Sequence, residues 1–419
     1  MKVLIKSALI LDQTSDYSGK KHDILINNGR IEKIGNKLPA PKTVINGKNL
    51  HVSIGWFDMR ANFFDPGYEH KEDIYTGCEA AKAGGFTGVA LIPNTNPPVQ
   101  SKNDIAYIIS KSAPCLVDLF PYGSVTVDNK GEELTEMLDQ DNAGAVAFTD
   151  GDKPVWHTDI FLKSLLYLKK FKGLLIDIPE DKWLTMFGTM HEGTVSTTLG
   201  MKGLPRIAEE IIVERDIRLL EYAGGRLHLS NISTGESVRL IKQAKRKGLE
   251  VTCDIAAHQL VFDDSSVSTF DANYKVYPPF REKSDIKELM KGIEEGVIDV
   301  IVTSHTPHDE ECKKLEFDHA DFGITGLQTF YPVMNKVFGN SYEVYLDKIT
   351  VTPRNILNIP VPKIAKGAMA NLTVFDPKME WTLDESTNKS KSRFNPFWGQ
   401  KLKGKIIATI NNGQVHINE

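Results

Sequence analysis

Residues 72–92 read Glu72-Asp-Ile-Tyr-Thr-Gly-Cys-Glu-Ala-Ala-Lys-Ala83, then Gly84-Gly85-Phe86, then Thr87-Gly-Val-Ala-Leu-Ile92. The first part is amphipathic at helical spacing, and the last is a continuous apolar run bounded by glycine. That order describes a helix feeding a strand buried on both faces. The unit recurs. Apolar runs lie at 54–58, 87–92, 116–120, 145–148, 174–178, 227–229, 251–255 and 300–302, and amphipathic segments at 72–83, 158–170, 206–222, 235–247 and 284–295 fall between them. Eight such runs alternating with helices over ~250–300 residues predict an α/β fold, a closed (β/α)8 TIM barrel. A doubly wound open sheet is the runner-up. It lacks support, because Gly84-Gly85-Phe-Thr-Gly88 leads into a strand rather than out of one, and the chain has neither a dinucleotide glycine fingerprint nor a P-loop.

The two ends read differently. Val3-Leu-Ile5, Asp23–Asn27 and Arg30–Gly35 are short β-type runs, the last two joined by Asn27-Asn-Gly29. Segments 370–375, 405–410 and 414–417 repeat the style around a second Asn411-Asn-Gly413 turn. We therefore expect residues 1–51 and 356–419 to form one small composite β-sandwich, with residues 52–355 forming the barrel.

Composition narrows the function classes. A chain of 419 residues with net charge −5 has ample core but no nucleic-acid-binding balance. The basic cluster from Lys242 to Lys247 reads as a solvated helix face. No run approaches the ~18 apolar residues of a membrane span. The opening Met1-Lys-Val-Leu-Ile-Lys6 meets charge too early for an export signal, so a cytoplasmic location is expected. Cys78, Cys115, Cys253 and Cys312 show no paired spacing and are expected to be reduced.

Several blocks are recognisable. Gly55-Trp-Phe-Asp-Met59, Asp65-Pro-Gly-Tyr-Glu-His-Lys-Glu72, Ile92-Pro-Asn-Thr-Asn-Pro-Pro98, Met190-His-Glu-Gly193, Ser230-Asn-Ile-Ser-Thr234, Lys275-Val-Tyr-Pro-Pro-Phe-Arg281 and Phe322-Gly-Ile-Thr-Gly-Leu327 occur in order, down to Asn395-Pro-Phe-Trp-Gly399. They resemble consecutive blocks of the dihydroorotases of the amidohydrolase superfamily, across essentially the whole chain. The resemblance implies a zinc site at the C-terminal mouth of the barrel, where carbamoyl-aspartate and dihydroorotate interconvert. Residue by residue, the implied ligands are missing. Arg60 and Asn62 stand where paired histidines end strand one, Ile178 and Asn231 replace two further histidines, and Ser304 replaces the aspartate that binds metal and carries the proton. Phe64 replaces the arginine that grips the substrate carboxylate, and Tyr277 an asparagine that touches the ring. Asp150 survives as a vestigial catalytic candidate, although the usual Asp-Asp-Gly order has become Asp150-Gly-Asp152. Asn94 and His308 match substrate-contacting positions. His228, His258 and His305 match histidines that mostly hold structure around the mouth.

Zinc needs three or four N, S or O donors, so no metal is expected at these positions. Arg60 would repel a dication. A relocated site built from His228, His258, His305 and His308 is the strongest counter-reading. A serine hydrolase using Ser304 is disfavoured, because Ser304 and His305 are adjacent along a strand and no nucleophile elbow is present. His191, Glu192 and His157 read as loop-fixing or helix-start residues. The resemblance leaves two functions. One is a catalytically inactive partner of aspartate carbamoyltransferase in pyrimidine biosynthesis, as a homodimer. The other is an active dihydroorotase, or related cyclic amide hydrolase, with zinc in an altered site.

Overall fold

The computed structural model describes residues 2–418. Met1 and Glu419, which the expected terminal unit includes, lie outside the described residues. Parallel pairing runs from Trp56–Ala61 through Phe86–Leu91 to Asp118–Pro121, and from Leu174–Asp177 through Arg226–Leu229 and Val251–Ala256 to Val300–Val302. The expected fourth strand is reduced to Phe148, which bridges Gly123 on one side and Leu175 on the other. Its backbone still joins both neighbours, with Gly123 N–H donating to Ala147 O at 3.0 Å on one side and Phe148 N–H to Leu174 O at 3.0 Å on the other. The ring closes where Ala61 bridges His305 in parallel. The expected barrel is therefore present.

Helices 74–83, 158–169, 207–223, 235–246 and 283–294 occupy the predicted amphipathic segments to within about two residues. Their apolar faces cover the barrel through Ile74, Phe161, Val213, Ile241 and Ile293, all buried. Among the described residues no helix is long and apolar enough to cross a membrane.

The two chain ends meet, as expected, in one β-rich unit. Its strands are hydrogen-bonded in the order 414–417, 401–411, 372–382, 51–54, 2–11, 21–27, 30–35, with Thr43–Ile45 also paired to Lys2–Leu11. The sheet has its own core, including Ile5, Ile24, Val52, Leu372 and Ile410. The boundary differs from the expected residue 51, because His51–Ile54 pairs with both Lys2–Leu11 and Leu372–Thr382. Nor does all of 356–419 belong to the sheet. Segment 383–400 lies on the barrel, where Asn395 Nδ2 donates to Thr325 O at 2.7 Å and Lys391 pairs with Asp73 at 2.6 Å.

Gly55 is the joint between sheet and barrel. A Cβ there would sit 2.1 Å from both Asn371 Oδ1 and Thr87 Oγ1, so only glycine lets the two units approach. Gly55→Ala is expected to lower unfolding free energy by about 1–3 kcal/mol, read by denaturant titration; an unchanged midpoint would show that the joint has slack.

Asp58 ties the first strand to the last. Its carboxylate accepts from Thr303 N–H at 3.0 Å and from the Thr303 hydroxyl, across the closing seam. Burial pushes this carboxyl up to about 7, against the donors that pull it down. Stability from the protonated form is then complete below about 4 and lost as pH rises through 7. The advantage of the wild type over Asp58→Asn should accordingly fall between pH 5 and pH 8. An advantage that grows over that window contradicts this. Asp58→Ala leaves both Thr303 donors unpaired and should cost about 1–3 kcal/mol at either pH.

Candidate active site

The strand ends bring the implicated residues around one mouth. Arg60, Asn62, Asp150, Ile178, Asn231 and Ser304 are all buried there. Arg60 is 4% exposed, and its guanidinium is held by oxygen acceptors from two other strand ends. It pairs with Asp152 Oδ1 at 2.8 Å and donates to Gly151 O at 3.3 Å and Ser230 Oγ at 3.5 Å. Asn62 turns back on its own chain, accepting from Phe64 N–H at 2.8 Å. Asn231 Nδ2 donates to Ser304 Oγ at 3.0 Å. These residues offer zinc no imidazole, no thiolate and no free carboxylate, and the cation already present is a guanidinium. They do not fit the metal that the resemblance implies.

Asp150 does not face the mouth's open space in a catalytic manner. Its Oδ1 accepts from Val125 and Thr126 N–H at 3.0 and 2.9 Å, and Oδ2 from the Thr126 hydroxyl at 2.5 Å. It caps the loop after the third strand. Burial pushes its carboxyl up to about 7. Asn94 serves the same loop, donating to Asp150 O at 3.1 Å and accepting from Asp152 N–H at 2.9 Å.

The histidines fall into separate environments. His228 bonds Thr252 Oγ1 through Nδ1 and Asp254 Oδ2 through Nε2, both at 2.8 Å, so neither nitrogen is free. Asp254 also accepts from Ser230 Oγ and from Asn231 N–H. This orienting carboxylate was missed in the sequence. His305 Nδ1 accepts from Gly326 N–H at 3.0 Å, which places its proton on Nε2, 3.7 Å from Glu72. His308 donates from Nε2 to Phe322 O at 2.9 Å and presents Nδ1 to the Lys71 ammonium at 3.2 Å. Burial, reinforced by Lys71, lowers it to about 4. His258 is likewise lowered to about 4 by burial, and its Nε2 has no hydrogen-bond partner among the described residues. The four do not converge as the relocated site would require.

The expectation that nothing here could hold a metal needs one correction. His308, Cys312 and Asp321 come close enough to share a cation, and so do His191, Asp264 and Glu282. Both groups already face cations. Lys71 lies 3.4 Å from Asp321, while Arg206 pairs with Glu282 at 2.8 Å and Arg281 lies 3.1 Å from His191 Nδ1. His157, at the start of helix 158–169, is exposed, as the sequence suggests.

Three strand-end residues hold left-handed backbone: Phe64, Asn231 and Ser304, with φ of 56°, 55° and 50°. Such conformations cost about 1–3 kcal/mol each and cluster at functional sites. Beside them opens a cavity of about 460 Å³, whose wall includes Ser304, Tyr277, Glu180, His258 and Phe187. Asn94 and His308 are not among the residues that line it. The Glu180 carboxyl, raised by burial, accepts from Thr185 and Tyr277. Asp152, Glu180 and Phe187 went unnoticed as site residues; of these, only the altered Asp150-Gly-Asp152 order carried a signal.

A dihydro-orotase-like family model matches residues 51–237. The chain is 38% identical over 421 residues to the dihydroorotase of Geobacter sp. strain M21, covering 99% of each. It is 40% identical to that of Pelotomaculum thermopropionicum, covering 99% of this chain and 98% of the relative. The fold matches L-hydantoinase from Arthrobacter aurescens with a TM-score of 0.85 at 22% identity, over 99% of this chain and 95% of that one. Dihydropyrimidinase from Brevibacillus agri superposes with a TM-score of 0.81 at 20% identity, over 100% and 95%. The structural matches speak for the barrel alone. Full-length identity to the curated relatives goes further: the chain belongs to the dihydroorotase-like family.

Proposed function

We propose that this protein keeps the dihydroorotase barrel without its zinc-dependent hydrolysis, and acts in pyrimidine biosynthesis as a homodimeric, non-catalytic partner of aspartate carbamoyltransferase. The observation that carries the reading is the Arg60 guanidinium, ion-paired to Asp152 at the end of the first strand. Three separate requirements of the hydrolysis go unmet. The strand-end donors do not suit zinc, which in such enzymes lowers the pKa of bound water to near 7. Ser304 is no proton carrier near neutral pH. Phe64 cannot form a bidentate contact with a carboxylate. The partner role draws support from the rim, where Trp183 and Phe187 are 65% and 78% exposed beside the half-open Leu184 and Met186. Contiguous exposed apolar side chains of this kind mark contact surfaces.

The second reading is an active dihydroorotase working through an altered site. Its support is the name and full-length likeness of the curated relatives, together with the two groups able to gather around a cation.

Elemental analysis of protein purified without chelator separates the two, beside assays in both directions after zinc loading. The expected result is zinc far below one per chain and no interconversion of carbamoyl-aspartate and dihydroorotate. One tightly held zinc per chain, with turnover in the ordinary range of ~1–10³ s⁻¹, would establish the second reading. The partner role predicts that the transcarbamoylase co-purifies from the native cell with a dimer of this chain. A lone monomer with no transcarbamoylase attached would count against it.

A further inference from the structure

Helices 74–83 and 102–112 pack against each other, and each leads a cysteine to the same place. Asp65 fixes one end of their contact. Its buried carboxylate accepts from Ile74 N–H at 3.1 Å, at the start of the first helix. The second helix grips the same carboxylate through Lys111 Nζ at 2.7 Å and the Tyr107 hydroxyl at 2.9 Å. Four residues beyond each anchor stands a cysteine, Cys78 after Ile74 and Cys115 after Lys111. The backbone around Cys115 is also held from the C-terminal end of the chain. Pro114 O accepts from Gln414 Nε2 at 3.1 Å and Leu116 O from Asn411 Nδ2 at 2.9 Å. Between these fixed points the two thiols hydrogen-bond, Cys78 donating to the Cys115 sulfur.

The two sulfurs are not equivalent. Cys78 is 3% exposed within the apolar core, whereas Cys115 is half-buried against that core. The Cys115 thiol lies below the ordinary range, chiefly because the Cys78 S–H stabilises its thiolate. The same bond, reinforced by burial, pushes Cys78 well up. Glu79 and Lys82, paired with each other at 2.6 Å, face both sulfurs and act in opposite senses. The remaining thiols are placed differently. Cys253 is wholly buried, donates to Val297 O at 3.5 Å and is pushed up by burial. Cys312 is pushed up to about 11 by burial and by its hydrogen bonds to Asp321 and Asp309. An accessible sulfur with thiolate character, touching a buried thiol, suits the roles of attacking and resolving cysteine.

We propose that Cys78 and Cys115 form an oxidative modification site, at which hydrogen peroxide creates a reversible disulfide joining the first helix to the segment after the second. The Cys115 sulfur attacks one peroxide oxygen and the O–O bond breaks. The displaced hydroxide takes up the proton that Cys115 has lost and leaves as water, with a sulfenic acid on Cys115. The Cys78 sulfur then attacks the Cys115 sulfur, the S–O bond breaks, and hydroxide departs with the Cys78 proton as a second water. Two thiols are oxidised by two electrons in all, and one peroxide is reduced to two waters. None of the residues at the mouth takes part, so the assignment goes beyond the non-catalytic reading and does not depend on it.

The test treats the native full chain with hydrogen peroxide at neutral pH, then alkylates it in denaturant and digests it without reductant. Alkylatable thiols should fall from four to two. The peptides carrying Cys78 and Cys115 should be linked to each other within one chain, and dithiothreitol should release them. In Cys115→Ser, which alters the less buried member, Cys78 should remain alkylatable after the same treatment. Four thiols surviving, a bridge that uses Cys253 or Cys312, a bridge between two copies of the chain, or loss of the Cys78 thiol in Cys115→Ser would each overturn the proposal.

Discussion

Everything at the mouth is arranged around a fixed positive charge that needs neutralising. Arg60 is almost wholly buried, whereas its partner Asp152 is 44% exposed. Burying a guanidinium without a partner costs several kcal/mol even after relaxation, so the loop at 150–152 must stay where it is. Asn94 and Asp150 hold that loop from both sides, through Asp152 N–H and the turn after the third strand. Residues that match substrate and acid positions of the family are thus engaged in keeping an arginine neutralised. A dication in the same space would have to be stabilised against that charge at a few ångströms, where Coulomb repulsion is strongest.

The backbone tells a different history from the side chains. Phe64 and Ser304 have no local reason to adopt φ near +50°, and bulky residues rarely do so. The closing seam over-determines these conformations: Asp58 grips Thr303, and His305 O accepts from Asn62 N–H at 2.8 Å. A frame locked on both sides of a residue can impose strain on whatever side chain replaces the original. Strand ends held in this way keep their shape whatever side chains they carry.

How much was legible in the sequence follows from the range of each interaction. Buried parallel strands are continuous apolar runs, so seven of the eight could be placed directly, and the helices between them showed their amphipathic faces. The run at 145–148 misled only in extent: it contributes one bridging residue, Phe148, because its pairing is set by Gly123 and Leu175, neither visible from the run itself. The terminal strands were read correctly as β-type. Their union into one sheet, with the joint at Gly55, depends on pairing between residues some three hundred positions apart. The site shows the same limit. Identities at Arg60, Asn62 and Ser304 could be read one by one, but Asp152 as the counter-ion and Asp254 as the orienting carboxylate of His228 exist only once the ring has closed.

The two readings of function rest on different kinds of support, and their conflict has a physical form. Identity near 40% over the whole chain constrains the fold and its packing, which the Asp58 seam and the Gly55 joint express. Hydrolysis depends on a handful of donors that contribute little to such a comparison. A barrel can therefore share its relatives' architecture in full while individual donors at its mouth differ. Phe64, where the resemblance implies a carboxylate-binding arginine, takes one positive charge away, while Arg60 brings one that Asp152 neutralises. The wall of the cavity beside them includes the Ser304 hydroxyl, which accepts from Asn231 Nδ2, and the His258 imidazole, which burial lowers to about 4.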